Sequence, residues 1–288
     1  MSGLPKTVEI PPISVIPPTE TYIRLCWEHL RSSLAALPQI EHRVDDTLKA
    51  ASWCCLEMRV DGKVVLYDYS DYLQPEIPIG PWQRQFRFHY TTALSPFARF
   101  GSFPPQSFPD WSLYDAIQAV DWQPGVTILH RQAILPGLET SDNLRDRGLS
   151  RRRGTVRKLL LSDASITNLL QVENLPQEKF FADAFSCRAS VHIPGSWDHS
   201  LDRGQQQLFG LGICTISPDI WTACGDERPE PGIHYVGLRD DLQDVLDKVH
   251  WCLDNRDEVK RIGDNAKAFF RRHCTPIEIW RHVYARIG

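Results

Sequence analysis

The chain lacks any apolar run long enough to span a bilayer, and it lacks an excess of positive charge. Thirty-two basic side chains against thirty-six acidic ones leave a net charge of −4. That balance carries no electrostatic footprint for nucleic acid. The eight cysteines include no C-x-x-C pair, so neither a redox motif nor a clustered zinc-ligand spacing stands out. The first twenty residues, MSGLPKTVEIPPISVIPPTE, have no apolar signal core, and their prolines suggest an extended arm. The expectation is a cytoplasmic protein with reduced thiols and no transmembrane segment. Also missing are a Walker loop, a Ser/His/Asp nucleophile elbow, an H-E-x-x-H helix and a G-x-G-x-x-G fingerprint. The last absence argues against a dinucleotide-dependent enzyme such as a nucleotide-sugar epimerase.

What is present is an alternation of strands and helices. Ile23, Cys26, Trp27, Leu30 and Leu34 fall on one face at helical spacing within residues 20–37. Asp61-Gly62 between LEMRV and KVVLY is a two-residue hairpin signal. Residues 85–90, alternating around Phe86 and Phe88, predict a further strand, and His89 within it is a structural residue. The Pro-rich stretch 101–112 is a linker candidate. From residue 124 onward, Val126–Leu129, Ala189–Ile193 and Ile213–Ile216 predict buried strands, with helices over 150–161, 176–185 and after Ser200. Near the end, Asn255-Arg256-Asp257-Glu258 and Thr275-Pro276 start two helices. The domain expectation is an N-terminal, acceptor-side domain over 1–118 and a C-terminal domain over 119–288. In the latter, a mostly parallel, Rossmann-like sheet carries helices on both faces.

In such a sheet, ligands bind beyond the carboxyl ends of the strands. The segment from Gly195 to Gly204, GSWDHSLDRG, follows a strand and opens a helix on Asp202-Arg203. It reads as a phosphate cradle built from Gly195, Ser196, Ser200 and Arg203, or as an ordinary capped loop. Arg131, directly after the strand ending at His130, is a second anion candidate, with a salt bridge as its alternative. Arg151, Arg152, Arg153, Arg157 and Lys158 form either a phosphate or acidic-acceptor site or a solvated helix face. His234 and Tyr235 follow a Pro-rich turn, where His234 contacts a sugar or base or is a satisfied histidine. Asp240 and Asp241 cap a helix, or hold a ribose. A general base is sought in the first half, among Asp68, Asp71, Asp110 and Asp121, with Asp68 and Asp71 put forward.

Taken in order, Ser200 to Arg203, Leu208 to Gly212, the strand ICTI, His234-Tyr235-Val236, Asp240-Asp241-Leu242 and Trp251 resemble GT-B glycosyltransferases. They are similar to the protein O-glucosyltransferase (Rumi/KTEL, capsule-associated) family and its bacterial relatives. IGDNAKAFFRRH and the final aromatic helix extend the likeness over about residues 185–288. Arg203 stands one residue further from the serine than in the family pattern, and HYVGL replaces HYVPV. The resemblance implies a GT-B-like α/β protein with a shortened N-terminal α/β domain. It implies metal-independent sugar transfer from a nucleotide-diphosphate sugar, a UDP-sugar by preference, to a saccharide, lipid-linked or protein acceptor. In that scheme Arg203, with Arg131, binds the diphosphate and Asp240 or Asp241 holds the ribose. The alternative is a non-catalytic nucleotide-binding or scaffold protein derived from such an enzyme.

Overall fold

The computed structural model describes residues 3–19, 21–69, 82, 84–87, 90, 100–103, 111–132, 134, 144–172, 177–195 and 199–288. The chain divides into two compact units. One contains Met1–Asp115, Trp221–Arg228 and Arg271–Gly288; the other contains Ala116–Ile220 and Pro229–Phe270. Both pair parallel strands with helices, so the architecture is mixed α/β.

In the first unit, strands β1 (Thr7–Ile10), β2 (Glu41–Val44), β3 (Ala50–Ser52), β4 (Cys55–Val60), β5 (Lys63–Asp68), β6 (Gln85–Arg87) and β7 (Phe100–Ser102) form a mixed sheet. Its order is β2-β1-β4-β5-β6-β7, with β3 paired to β4. The predicted hairpin is there: β4 and β5 pair antiparallel from Val60↔Lys63 outward. Asp61 and Gly62 both take positive φ, 46° and 80°, which the twist of a two-residue hairpin requires. The Asp61 carboxylate also accepts hydrogen bonds from the amides of Lys6 and Thr7, at 2.9 and 2.8 Å. One face of the sheet contributes Val8, Ile10, Leu56, Met58, Val65, Tyr67 and Phe86 to the core. Helix α1 (Thr21–Ala35) adds Ile23, Trp27, Leu30 and Leu34 from its predicted apolar stripe. The chain's last helix supplies Trp280, fully buried, whose indole N–H donates to Ser33 Oγ at 3.1 Å.

The second unit is built on β8 (Thr127–Leu129), β9 (Leu170–Gln171), β10 (Cys187–Val191), β11 (Thr215–Pro218) and β12 (Val236–Leu238). All pair parallel, in the order β12-β11-β10-β8-β9. Successive residues point to opposite faces of a strand. Ala189, Ser190 and Val191, and Thr215, Ile216 and Ser217, are nevertheless all buried, so β10 and β11 are covered on both sides. The helices following Leu129 are α3 (Leu144–Ser162), α4 (Gln177–Ser186), α5 (Arg203–Leu211), α6 (Val245–Asp254) and α7 (Arg256–His273). A short helix, α2 (Trp111–Gln118), precedes β8, and α8 (Pro276–Ile287) ends the chain. α5 stops at Gly212, which takes φ 80° and returns its amide to the helix. There the backbone meets α7 closely: a Cβ on Gly263 would lie 2.2 Å from the Gly212 carbonyl oxygen. Among the described residues, no helix is long and apolar enough to cross a membrane.

Candidate functional site

In the second unit the chain lays down β8, steps to β9 on one side, then returns past β8 to place β10, β11 and β12 on the other. β8 and β10 are therefore the neighbouring strands at which the chain reverses its direction across the sheet, and the carboxyl ends at such a switch are where ligands bind in open α/β sheets. The residues at that point are His130, Arg131 and Gln132 after β8, and His192 to Gly195 after β10.

Their network is dense and largely buried. Asp202, in extended backbone, caps α5: its Oδ1 accepts from the Gln205 amide at 2.9 Å and from His192 Nε2 at 2.8 Å. Its Oδ2 accepts from the Gly195 amide at 2.7 Å. Burial pulls this carboxyl upward, but the His192 ring and the two amides outweigh it and hold it well below the ordinary carboxylate range. His192 Nδ1 in turn accepts from Gln132 Nε2 at 3.3 Å, and Gln132 is locked by two contacts with the backbone of Ile193. His130 is fully buried, donates from Nδ1 to the Val191 carbonyl at 3.0 Å, and keeps Nε2 without a hydrogen-bond partner. Burial lowers its pKa to about 4, so the ring is neutral near pH 7.

Positive charge converges on the same loops. Arg153 of α3 donates to the Ile193 carbonyl at 3.1 Å, and Arg157 to the Gln132 carbonyl at 2.9 Å. Burial lowers the pKa of both guanidiniums, and Arg157 Nε has no hydrogen-bond partner. Arg131 turns toward the β9 side, where its Nη2 meets Asp183 of α4 at 2.6 Å, while Nε and Nη1 remain buried without partners. Desolvated guanidiniums with spare donors favour an anion strongly, because no bulk water competes for them.

Among the other predicted residues, Gly195, Ser200 and Arg203 follow β10, and Asp240 and Asp241 follow β12. The Gly195 amide is engaged by Asp202. Ser200 is buried, and Ser196 lies outside the described residues. Arg203 is the first residue of α5 and is exposed. Asp240 is exposed after β12 and approaches His199 Nε2 at 4.0 Å; His199 Nδ1 donates to the Asp219 carbonyl, after β11, at 2.8 Å. His199 thus ties the loop after β10 to the loop after β11. Asp241 accepts from the Gln243 amide and from Arg239 Nε, at 3.1 and 3.2 Å, and forms a turn rather than a helix cap. The helix starts at Val245, with Asp244 at the N-cap position, because Leu242 takes φ 61° and interrupts the chain first.

His234 and Tyr235 are held by their own unit. His234 Nδ1 accepts from the Glu230 amide at 3.0 Å, and its ring stands edge-on to Phe269 at 5.2 Å. Tyr235 is fully buried; its hydroxyl donates to Asp219 Oδ1 at 2.7 Å and accepts from the Ile220 amide at 3.0 Å. It fixes the loop after β11. In the first unit, Asp68 is fully buried, 3.1 Å from Arg87 Nε and 2.9 Å from Gln85 Nε2. That is the environment of a structural carboxylate, not of a base that meets solvent-borne substrate. Asp71 and Asp110 lie outside the described residues. Asp121 is exposed and paired with Lys260 at 3.1 Å.

Sequence reasoning missed His192, Gln132 and Asp202 as one buried network, and missed His199 as the link between loops. A signal existed for the first: polar residues directly after buried strands at 130–132 and 192, with an N-cap aspartate ten residues later. The α3 arginines were visible as a run, but helical position alone did not show that Arg153 and Arg157 face the strand ends.

No protein-family model matches the chain. Over 118 residues, 38% of its length, the chain is 39% identical to Protein O-glucosyltransferase 2 of Danio rerio, covering 23% of that protein. Over 96 residues, 32% of its length, it is 28% identical to Uncharacterized protein 035R of Invertebrate iridescent virus 3, covering 8% of it. The chain thus spans less than a quarter of the length of these relatives. Among solved structures, it is similar to a glycosyltransferase from Rickettsia africae ESF-5, with TM-score 0.43 and 10% identity over 71% of this chain and 63% of that one.

Proposed function

We propose that this chain is a glycosyltransferase that moves a sugar from a nucleotide-diphosphate sugar, a UDP-sugar by preference, to an acceptor hydroxyl without a catalytic metal. The observation that carries the reading is the convergence of Arg153, Arg157 and buried His130 on the carboxyl ends of β8 and β10, one edge of a parallel sheet that also bears Arg131, Arg203 and Asp240. The 39% identity to Protein O-glucosyltransferase 2 over 118 residues supports it. So does the order of sequence elements over residues 185–288.

In this reading, the unit of Ala116–Ile220 and Pro229–Phe270 carries the donor side and the unit that holds Met1–Asp115 the acceptor side; Trp221–Arg228 and Arg271–Gly288, expected in the C-terminal domain, go with the first unit. The donor's anomeric C–O bond breaks through an oxocarbenium-like state, and negative charge grows on the departing diphosphate. Arg203 and the first amides of α5 meet that charge, with Arg131, Arg153 and Arg157 adding positive potential from the strand ends. Asp240, exposed after β12, accepts from the ribose hydroxyls, and Asp241 shapes the same turn. The acceptor oxygen attacks the anomeric carbon, and its proton passes to a carboxylate of the first half. Because Asp68 is sequestered with Arg87, Asp71 is the remaining member of the proposed pair. The acceptor is a saccharide, a lipid-linked sugar or a protein hydroxyl, and the compartment is the cytoplasm.

The test is calorimetric titration with UDP, GDP and other nucleoside diphosphates. At least one binds, and Arg203→Ala weakens it roughly 10-fold to 100-fold, as expected for a hydrogen-bonded charge contact of about 1.5–3 kcal/mol, without a change in melting temperature. Absence of binding by every nucleoside diphosphate overturns the proposal. Binding without donor hydrolysis or transfer, across a panel of sugars and acceptors, selects the non-catalytic reading instead.

A further inference from the structure

The first unit holds a second chemical cluster, on the sheet face opposite its main core. β3 and β4 are joined by a tight turn, with Ser52 paired to Cys55. Adjacent residues of a regular strand point to opposite faces. Here Cys54 sits in the turn and Cys55 opens β4, so the two sulfurs come to the same side, 3.9 Å apart. The register does the rest. Cys55 is directly opposite Asp68 on β5, and Asp68 is directly opposite Arg87 on β6, so the three side chains form a row on one face. Cys54 Sγ, Cys55 Sγ and a carboxylate oxygen of Asp68 all lie within 4.8 Å of one another, and all three residues are fully buried.

We propose that Cys54, Cys55 and Asp68 bind a soft divalent cation, Zn2+ by preference, which clamps the β3–β4 turn to β5. The spacing fits: two thiolates on one tetrahedral zinc, at Zn–S of about 2.3 Å, stand ~3.8 Å apart. The donor set fits too, because thiolates select zinc over magnesium or calcium, and a carboxylate completes a borderline-soft site. Charge closes locally. Two thiolates and one carboxylate carry three negative charges, which the dication and the buried Arg87 cancel. A fourth donor is at hand in Gln85, whose amide nitrogen is held on Asp68 at 2.9 Å and whose Oε1 is buried without a hydrogen-bond partner. Gln85 and Arg87 also orient the Asp68 carboxylate, the role that outer partners play at metal sites. The site lies within the first unit and does not depend on the sugar-transfer reading.

The experiment is metal analysis of the full chain purified without chelator. About one zinc per chain is expected. After exchange, Co2+ gives a thiolate-to-cobalt charge-transfer band and tetrahedral d–d absorption, both lost in Cys54→Ser and Cys55→Ser and retained in Cys187→Ala. Gln85→Leu weakens Co2+ binding about 10-fold. X-ray absorption of the zinc-loaded, unmodified chain covers the case in which a variant does not fold, and shows two sulfur neighbours at ~2.3 Å. Zinc-free protein with no cobalt band overturns the proposal and leaves the thiols as packing groups. A band that survives both serine substitutions, or a zinc shell of nitrogen and oxygen alone, overturns it as well. Loss of nucleoside-diphosphate binding leaves these readouts unaffected.

Discussion

Replacing Asp202 with alanine should be among the most damaging single changes in the second unit, and its cost follows from the partners of one carboxylate. It caps α5 through the Gln205 amide, and losing such a cap costs about 1 kcal/mol. It also accepts from the Gly195 amide and from His192 Nε2, both in buried surroundings. Each donor left without a partner costs about 1–3 kcal/mol. The sum is roughly 3–7 kcal/mol, a large part of the 5–15 kcal/mol that typically stabilises a domain. Urea unfolding followed by far-ultraviolet circular dichroism measures it. With m near 2–3 kcal/mol/M, the midpoint falls by roughly 1–3.5 M. Asp202→Asn keeps an acceptor for the helix amide and loses the negative charge that strengthens the carboxylate's hydrogen bonds, so it should lie between. The sign with pH is fixed by the depressed folded pKa of this carboxyl. The unfolded chain takes up the proton first, at about 3.9. The stabilisation is therefore complete above that value and disappears as pH falls through the folded pKa. The cost of Asp202→Ala should be level from pH 8 to pH 5 and shrink only in stronger acid. A loss below ~1 kcal/mol at pH 7 would refute the reasoning, as would a cost that grows on acidification.

Two further perturbations test the fold around the site. His130 has its pKa lowered by burial from 6.5 to about 4. The unfolded chain therefore binds its proton first, and stability declines as pH falls from about 6.5 to 4, by up to roughly 3 kcal/mol from this group. His282, partly buried and likewise lowered to about 4 by desolvation, adds a slope of the same sign. His130→Asn should flatten part of the decline in a pH series of urea midpoints, and an unchanged slope would count against a neutral buried ring. Gly263→Ala places a Cβ 2.2 Å from the Gly212 carbonyl oxygen and 2.7 Å from the Trp122 ring. Overpacking of that kind costs about 1–3 kcal/mol, and a melting temperature equal to the parent's would show that α5 and α7 can separate freely.

Local signals in the sequence were reliable where one short segment determines its own geometry. Asp61-Gly62 makes the hairpin because two successive positive φ values need those residue types. Asp202 starts α5 and Gly212 ends it, as cap chemistry requires. The α1 stripe buries the side it was read to bury. The same logic misplaced the start of α6. Asp240-Asp241 resembles a cap in composition, yet Leu242 in the left-handed region turns the chain once more, and the helix opens only after Asp244. A leucine in that conformation is uncommon, and no residue pattern announces it.

Site chemistry was harder to read because it depends on which strand lies beside which. Cys55, Asp68 and Arg87 are separated by 13 and 19 residues in sequence and become neighbours only through the β4·β5·β6 register. A one-residue slip would send Asp68 to the apolar face. Absence of a C-x-x-C motif was therefore no argument against clustered ligands, because a turn and a cross-strand pair bring such groups together as well as a loop does. The same holds in the second unit. The run from Arg151 to Lys158 looked like any solvated helix, and its exposed members are that. Arg153 and Arg157, four residues apart on α3, share the stripe that meets the Ile193 and Gln132 carbonyls. Their significance comes from the return of the chain past β8 to form β10, a step of topology. A stretch that reads as a capped loop on its own, GSWDHSLDRG, gains its electrostatic setting from a helix whose last residue lies more than thirty positions earlier.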